Sequence, residues 1–297
     1  MTAPAIHRDV HTVEVLPPPQ SLSHDAFEII VRRLADDLAF GSDTSLFVGS
    51  GLEYASSRPY EAGDSIRSID WRLTARTGRA YVRQYESLKR TNVCIVVDSS
   101  ASMSVRSVAR SKHDTAVWIA SALGLIAQRR LSPVAIFGAG ERSARSVPSL
   151  SRTDLWSAID PLRIASLTER TKLADAIASI TVRVPRRSVI IVLSDLHEPG
   201  AIPAIRSACQ KHEVMALHIQ DPVEVTPLRA GFVRLREAET GSIFFAPRRK
   251  PLDTQRDTQL ELHRCGADYL PIRTDRPFIA DLRRFLASRS GQMRGRG

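Results

Sequence analysis

Residues 92–103 read NVCIVVDSSASM and residues 188–195 read SVIIVLSD. Each contains five consecutive apolar residues, rich in Val and Ile, followed within two residues by an aspartate, Asp98 in the first and Asp195 in the second. That is the pattern of a strand buried on both faces of a parallel sheet. Around these two runs the sequence alternates between strand and helix signals. Residues 134–137, 214–219 and 269–272 read as further strands, with a short one at 142–147. Residues 111–130 read as a long helix with Ala116, Ile119, Ala120, Leu123 and Ile126 on one side, and 154–162, 172–182, 202–211, 255–264 and 277–288 read as helices. A hairpin is expected over 231–245, turning at Thr240-Gly241. The alternation predicts an α/β fold over residues 92–290, a doubly wound, mostly parallel sheet with helices on both faces. Such sheets bind ligands at the carboxyl ends of their strands, where both aspartates stand.

Upstream the character changes. Residues 1–22, with Pro17-Pro18-Pro19, have neither helical nor strand periodicity and read as a flexible arm. Residues 23–91 read as a helix followed by a small β-rich subdomain. In the helix, Phe27, Ile30, Val31, Leu34 and Leu38 share one face behind a Ser23 cap, and Gly41 is the stop. In the subdomain, residues 45–91 form short runs broken by Gly49-Ser50-Gly51, Arg58-Pro59, Ala62-Gly63-Asp64 and Thr77-Gly78, signals of short strands and turns. Residues 79–85 alternate with a basic and aromatic face. Residues 291–297 read as a flexible tail.

The 297 residues are 43% hydrophobic, enough to bury a sizeable core and to exclude wholesale disorder. Charge is the outlier, +10, carried by 37 Arg and only 5 Lys. Residues 226–297 hold 15 Lys+Arg against 8 Asp+Glu, so most of the excess follows the second aspartate strand. A basic surface there suits an acidic protein partner at least as well as nucleic acid. Cys94, Cys209 and Cys265 are widely spaced with no Cys-x-x-Cys pair, which suits a reducing compartment. With no secretion signal or membrane span expected, the cytoplasm is the expected location. The sequence contains no Walker A motif, no Gly-x-Ser-x-Gly and no His-Glu-x-x-His, which argues against the corresponding chemistries.

The first strand runs into Asp98-x-Ser100-x-Ser102. In an extended chain residues two apart face the same way, so one carboxylate and two hydroxyls would enter one space. These are hard oxygen donors, suited to Mg²⁺ or Mn²⁺. Asp195 would converge from the neighbouring strand. Thr171, ahead of the helix LADAIASI, has a hydroxyl that either caps that helix or joins the cation, with Thr168 as the competing choice. His197 and Glu198 are placed to line the same crevice, and they and Arg170 are candidate partner contacts.

This arrangement resembles the von Willebrand factor A (VWA) family, whose metal-ion-dependent adhesion site joins Asp-x-Ser-x-Ser to a later Thr and an Asp at the fourth strand. The segment GSGLEYASSRPYEAGDSIRSIDWRLTARTGRAYVRQYE at residues 49–86, running into VDSSASM, looks like the signature of a prokaryotic VWA-like family of unknown function, DUF58-type. The resemblance covers about residues 40–290. One departure is Ser87-Leu88-Lys89-Arg90, where that family tends to carry an acidic run. The resemblance implies a non-enzymatic binding module with Mg²⁺ (or Mn²⁺) held by Asp98, Ser100, Ser102, Thr171 and Asp195. It also implies a MoxR-type AAA+ ATPase as partner, with an adaptor role in maturing or remodelling protein complexes.

Two other functions use the same residues. A metal-dependent phosphohydrolase would start from Asp98, but it wants a second carboxylate where Ser100 stands, and Lys112 and Lys172 are its candidate phosphoryl neutralisers. Arg58, Tyr60, Arg67, Trp71, Arg72, Arg76, Arg79, Tyr81, Arg83 and Tyr85 would form a stacking face for a nucleic-acid strand. More often such residues hold a small subdomain together by pairing with carboxylates such as Glu53, Asp64 and Asp70.

Overall fold

In the computed structural model, residues 16–40, 53–86, 91–141, 146–225, 232–236, 243–247 and 251–294 are described. In chain order the elements are α1 (His24–Ala39), β1 (Glu53–Pro59), α2 (Trp71–Thr77), β2 (Tyr81–Glu86), β3 (Val93–Val97), α3 (Ala101–Ser104), α4 (Lys112–Arg129), β4 (Val134–Gly138) and α5 (Arg152–Ile159). They continue with α6 (Leu173–Arg183), β5 (Val189–Ser194), α7 (Ala201–Cys209), β6 (Glu213–Gln220), α8 (Pro222–Val225), β7 (Phe232–Arg236), β8 (Ile243–Pro247), α9 (Pro251–Arg264), β9 (Asp268–Arg273) and α10 (Ile279–Arg294).

Five parallel strands lie in the order β4-β3-β5-β6-β9. The chain steps outward from β3 to β4, then returns to lay β5 on the other side of β3. The sequential order therefore reverses between β3 and β5, the position at which sheets of this kind bind ligands, outside the carboxyl ends of the strands. At the β4 edge, Val134 and Ser149 exchange N–H···O bonds of 2.8 and 2.9 Å in an antiparallel bridge. Of the short strand expected at 142–147, residues 142–145 lie outside the described residues and 146–147 are not in a strand; the bridge is made two residues later, by Ser149.

Alternation along each strand builds two cores. Val93, Ile95, Val97, Ile191, Leu193, Leu217 and Ile219 pack with α1, α4, α5 and α10. Cys94, Val96, Ile190, Val192, Val214 and Ala216 pack with α6, α7 and α9. Helix α4 is buried on all sides from Lys112 to Gln128, not along one stripe, because α1 covers its outer face. There Phe27 and Trp118 stack with ring centroids 4.8 Å apart. Cys209 and Cys265, far apart in sequence, are free thiols whose sulfurs lie 4.0 Å apart.

Residues 16–22 are tied down, although the sequence placed them in an arm. Leu16 and Pro19 are buried, and the Trp118 indole donates to the Pro17 carbonyl at 3.1 Å. The Arg163 guanidinium donates to the Pro19 and Leu22 carbonyls and lies over the Phe27 ring. At the other end α10 continues to Arg294, past the residue 288 expected as the helix end.

The small subdomain pairs β1 with β2 antiparallel. Between them lies a helix, α2, where the sequence suggested only strands and turns. Its signals are local: the Asp70 carboxylate caps it by accepting from the Leu73 N–H at 3.1 Å, and Gly78 ends it at φ 71°. Arg58 and Asp64 form a two-pronged ion pair at 2.7 and 2.6 Å, and Ser57 donates to Asp70 at 3.1 Å. These carboxylate pairings are the structural role anticipated for Arg58, Asp64 and Asp70. The side chain of Glu53 lies outside the described residues. Strands β7 and β8 form the expected hairpin ladder, and its turn at Thr240-Gly241 likewise lies outside. Among the described residues no helix is long and apolar enough to cross a membrane.

Candidate functional site

Asp98 follows β3 and Asp195 follows β5, neighbouring strands, so both carboxylates stand at the strand ends where the order reverses. Both are only 2% exposed. The Asp98 carboxylate accepts from the Ser100 N–H at 3.0 Å and from the Ser194 hydroxyl at 2.6 Å, which ties the two strand ends together. The chain does not stay extended through Ser102 as the sequence reading assumed. Ser100 is the last extended residue, at φ −63° and ψ 161°, and α3 begins at Ala101. The hydroxyls of Ser100 and Ser102 nevertheless meet at 3.1 Å, because the helix entry turns Ser102 back toward Ser100.

The loop before α6 closes one side. The Ala101 N–H donates to the Glu169 carbonyl at 2.8 Å, Ser104 donates to the Ser166 carbonyl at 2.7 Å, and the Lys172 N–H donates to the Ala139 carbonyl at 2.9 Å. Glu169 is buried. Its carboxylate and the Ser99 hydroxyl fill the space beside Gly140, where an added Cβ would lie 2.1 Å from the Glu169 Oε1 and 2.3 Å from the Ser99 Oγ. Glycine is needed there for close approach. The Ser99 hydroxyl is buried and has no hydrogen-bond partner among the described residues.

Thr171 turns to Glu198, donating at 3.4 Å. The Glu198 carboxylate accepts from the Leu173 and Ala174 N–H groups at 2.7 and 3.1 Å. Glu198, placed by sequence among the partner contacts, therefore caps α6, the role considered for Thr171. Arg170, Thr168 and His197 are exposed.

Asp195 has close company that the sequence reading did not assign to it. The Lys112 ammonium, at the first residue of α4 and 1% exposed, donates to the Asp195 Oδ2 at 2.7 Å and also pairs with Glu224. Ser111 fixes that helix start with a capping box to Asp114. Glu224 is steadied by the Asp221 N–H, which donates to its other oxygen at 3.0 Å. Asp221, fully buried, also accepts from Ser107 and from the Val223 N–H. The His197 ring reaches Asp195 at 3.2 Å, and its N–H donates at 3.3 Å. Between them Leu196 sits in the left-handed region at φ 55°, its N–H donated to Ser194 at 2.9 Å. Non-glycine residues there carry strain of about 1 kcal/mol or more.

The two carboxylates are pushed in opposite directions. Burial, then the charge of Asp195, drives Asp98 up to about 7. Burial alone would raise Asp195 too, but hydrogen bonds and charge from His197 and Lys112 outweigh it and hold it well below the usual carboxylate range. Burial opposes the Lys112 ammonium, yet Asp195 and Glu224 still raise its pKa. His197 is raised chiefly by its hydrogen bond to Asp195. Thus Asp195 already has a counter-charge, and among the described residues Asp98 has none.

The Asp98, Ser100 and Ser102 set fits a hard divalent cation. Neighbouring ligands in an octahedron of Mg²⁺ stand about 2.9 Å apart, close to the 3.1 Å between the two hydroxyls. The Asp98 carboxylate is held beside Ser100, accepting from its backbone N–H at 3.0 Å. Thr171 and Asp195, expected in the same set, are engaged by Glu198 and Lys112. Asp195, His197 and Glu224 also bring ligand atoms within 4.8 Å of one another, with the Lys112 ammonium bonded to two of the three.

Ser194, Glu169, Asp221 and Glu224 were not singled out from sequence. Ser194 alone had a signal, its place beside Asp195 at the end of a buried strand. Glu169 and Asp221 lie on loops and Glu224 in the short helix α8, segments that the fold brings back to these strand ends.

Comparison with known proteins places these residues in a family. The model for DUF58, described as "Protein of unknown function DUF58", matches residues 56–259. "Uncharacterized protein Rv1480" of Mycobacterium tuberculosis is 32% identical over 278 residues, covering 88% of this chain and 87% of the relative. "Uncharacterized protein Mb1516" of Mycobacterium bovis has the same identity and coverage. Among solved structures, the Deinococcus radiodurans RO (RSR) protein overlaps 67% of this chain and 34% of its own, with 18% identity and a TM-score of 0.34, a superposition too slight to bear on the fold.

Proposed function

We propose that this chain, which belongs to the DUF58 family, is a non-enzymatic, VWA-type protein-binding module of the cytoplasm that uses a divalent cation to capture an acidic group of its partner. The observation that carries this reading is the pair of hydroxyls, Ser100 and Ser102, 3.1 Å apart at the reversal of strand order, with the buried Asp98 carboxylate bonded to the Ser100 N–H. Ser100 and Ser102 would hold the ion and Asp98 would supply the negative charge, directly or through water. A bound Mg²⁺ would offer open coordination positions to a carboxylate. With Asp98 as the single uncompensated carboxylate of this set, an incoming Asp or Glu is attracted and not repelled. The hydrogen bonds of Asp98 to Ser100 and Ser194 keep the loop in shape for that role.

The family resemblance supports a MoxR-type AAA+ ATPase as the working partner and an adaptor role in remodelling protein complexes. The enzymatic alternative is disfavoured because Ser100 stands where a phosphohydrolase would carry its second carboxylate. Lys112, its candidate phosphoryl neutraliser, is bound to Asp195 and Glu224.

Thermal unfolding with and without Mg²⁺ or Mn²⁺ tests the reading. At ten times the Kd, a bound ion adds about 1.4 kcal/mol, a rise of a few degrees in Tm. Wild type should show this rise and Asp98→Ala should not. An equal response in the two proteins refutes the site.

A further inference from the structure

We infer that the Lys112 ammonium is a built-in counter-ion that occupies Asp195 and thereby removes it from the cation-binding set, leaving a site of two hydroxyls and the single carboxylate of Asp98. The inference rests on the proposed cation reading and specifies how tightly the site binds. Lys112 is 1% exposed and Asp195 2%, so neither charge can exchange its partner for water. Their contact of 2.7 Å is that of a charge-assisted hydrogen bond. The ammonium is held from the far side by Glu224, whose other oxygen is fixed by the Asp221 N–H. The capping box at Ser111 and Asp114 fixes the backbone from which Lys112 projects. Lysine, helix start and receiving carboxylates are therefore all anchored. A divalent ion that recruited Asp195 would have to break this contact or sit beside a buried positive charge.

The consequence is a weakly held, electrophilic ion. Affinity of oxygen sites for divalent ions follows the number of charged ligands, and here the lysine withholds one of two carboxylates. An ion kept by few anionic protein groups has more to gain from a partner's carboxylate. The lysine thus shifts the binding energy from the resident site to the docking event.

The test is Mn²⁺ titration of the full-length protein, followed by electron paramagnetic resonance of the free ion. Four variants are compared with wild type: Lys112→Gln, Lys112→Arg, Lys112→Gln/Asp195→Asn and Asp98→Ala. Releasing Asp195 in Lys112→Gln should tighten Mn²⁺ binding about tenfold or more, whereas Lys112→Arg, which keeps the charge, should stay near wild type. The charge-neutral double variant Lys112→Gln/Asp195→Asn removes both members of the pair and should remain within about threefold of wild type, since the Asp195 carboxylate is not a ligand. If Lys112→Gln does not fold, the double variant carries the test. A tenfold loss in the double variant, or a folded Lys112→Gln that binds no tighter than wild type, overturns the inference. Failure of the parent reading shows elsewhere: if Asp98→Ala binds as wild type does, the Asp98 site is wrong. If wild type binds nothing while Lys112→Gln does, the lysine is confirmed as the counter-ion and cation-dependent capture is excluded.

Discussion

Substituting Lys112 by Met tests whether the crevice is held together by its internal charges. Met keeps most of the length of the stem and deletes the ammonium. Among the described residues the loss leaves Asp195, 2% exposed, with the ring and backbone N–H of His197, a side chain that is itself 59% exposed. Glu224 loses the same partner but is 25% exposed and can turn to water. Removing one partner of a buried ion pair costs about 3–5 kcal/mol. With His197 still in place, the expected loss is at the lower end, about 3 kcal/mol. The double variant Lys112→Met/Asp195→Asn removes the stranded charge as well and should regain about 2 kcal/mol relative to Lys112→Met alone. Urea unfolding at neutral pH in the presence of EDTA reads both values from the midpoints and m-values without interference from divalent ions. A Lys112→Met protein within about 1 kcal/mol of wild type, or a double variant no more stable than the single, refutes the claim that Lys112 neutralises Asp195.

Acid should find a second weak point. His218 is 8% exposed, its ring bonded to the Tyr269 hydroxyl at 2.8 Å, and burial lowers its pKa to about 4. Below its ordinary pKa the unfolded chain takes up a proton that the folded chain refuses, so this contribution is intact above about pH 6.5 and is lost as pH falls to about 4, on the order of 3 kcal/mol. Unfolding free energies measured from pH 7 to pH 4 should therefore fall less steeply in His218→Gln, and equal slopes would refute the assignment. Gly140→Ala should destabilise the protein by about 1–3 kcal/mol, because the new Cβ must displace the Glu169 carboxylate and the Ser99 hydroxyl. The same variant should lose the Mn²⁺ response of the loop, and wild-type stability by calorimetry would show that the space is open.

Much of the architecture was legible because its signals are local. The runs VCIVV and VIIVL became β3 and β5, and the helix expected over 111–130 spans Lys112–Arg129 behind its Ser111 cap. Adjacency of the two aspartates also followed, from the preference of doubly wound sheets for a reversal of order beside the first strand. Helix α2 went unread although Asp70 and Gly78 bracket it, because the surrounding turns dominate so short a segment. The proline-rich stretch at 17–19 has no periodicity of its own, and its place depends on Trp118 and Arg163, distant residues that bond its carbonyls. The charge logic of the site was hidden for the same reason. Lys112 stands 83 residues from Asp195 and 112 from Glu224 in sequence, and at a helix start a lysine normally faces water. Only packing of α4 beneath the ends of β5 and β6 converts it into a buried counter-ion. Thr171 shows the converse: its place before a helix was read correctly, but the capping is done by Glu198 from the loop after β5.

The most direct test of the central claim is co-purification with a MoxR-type ATPase from the same genome, using wild type and Asp98→Ala, each with Mg²⁺ and with EDTA. Cation-dependent capture predicts recovery of the ATPase by wild type in Mg²⁺ and its loss in the other three samples. Equal recovery in all four would contradict it.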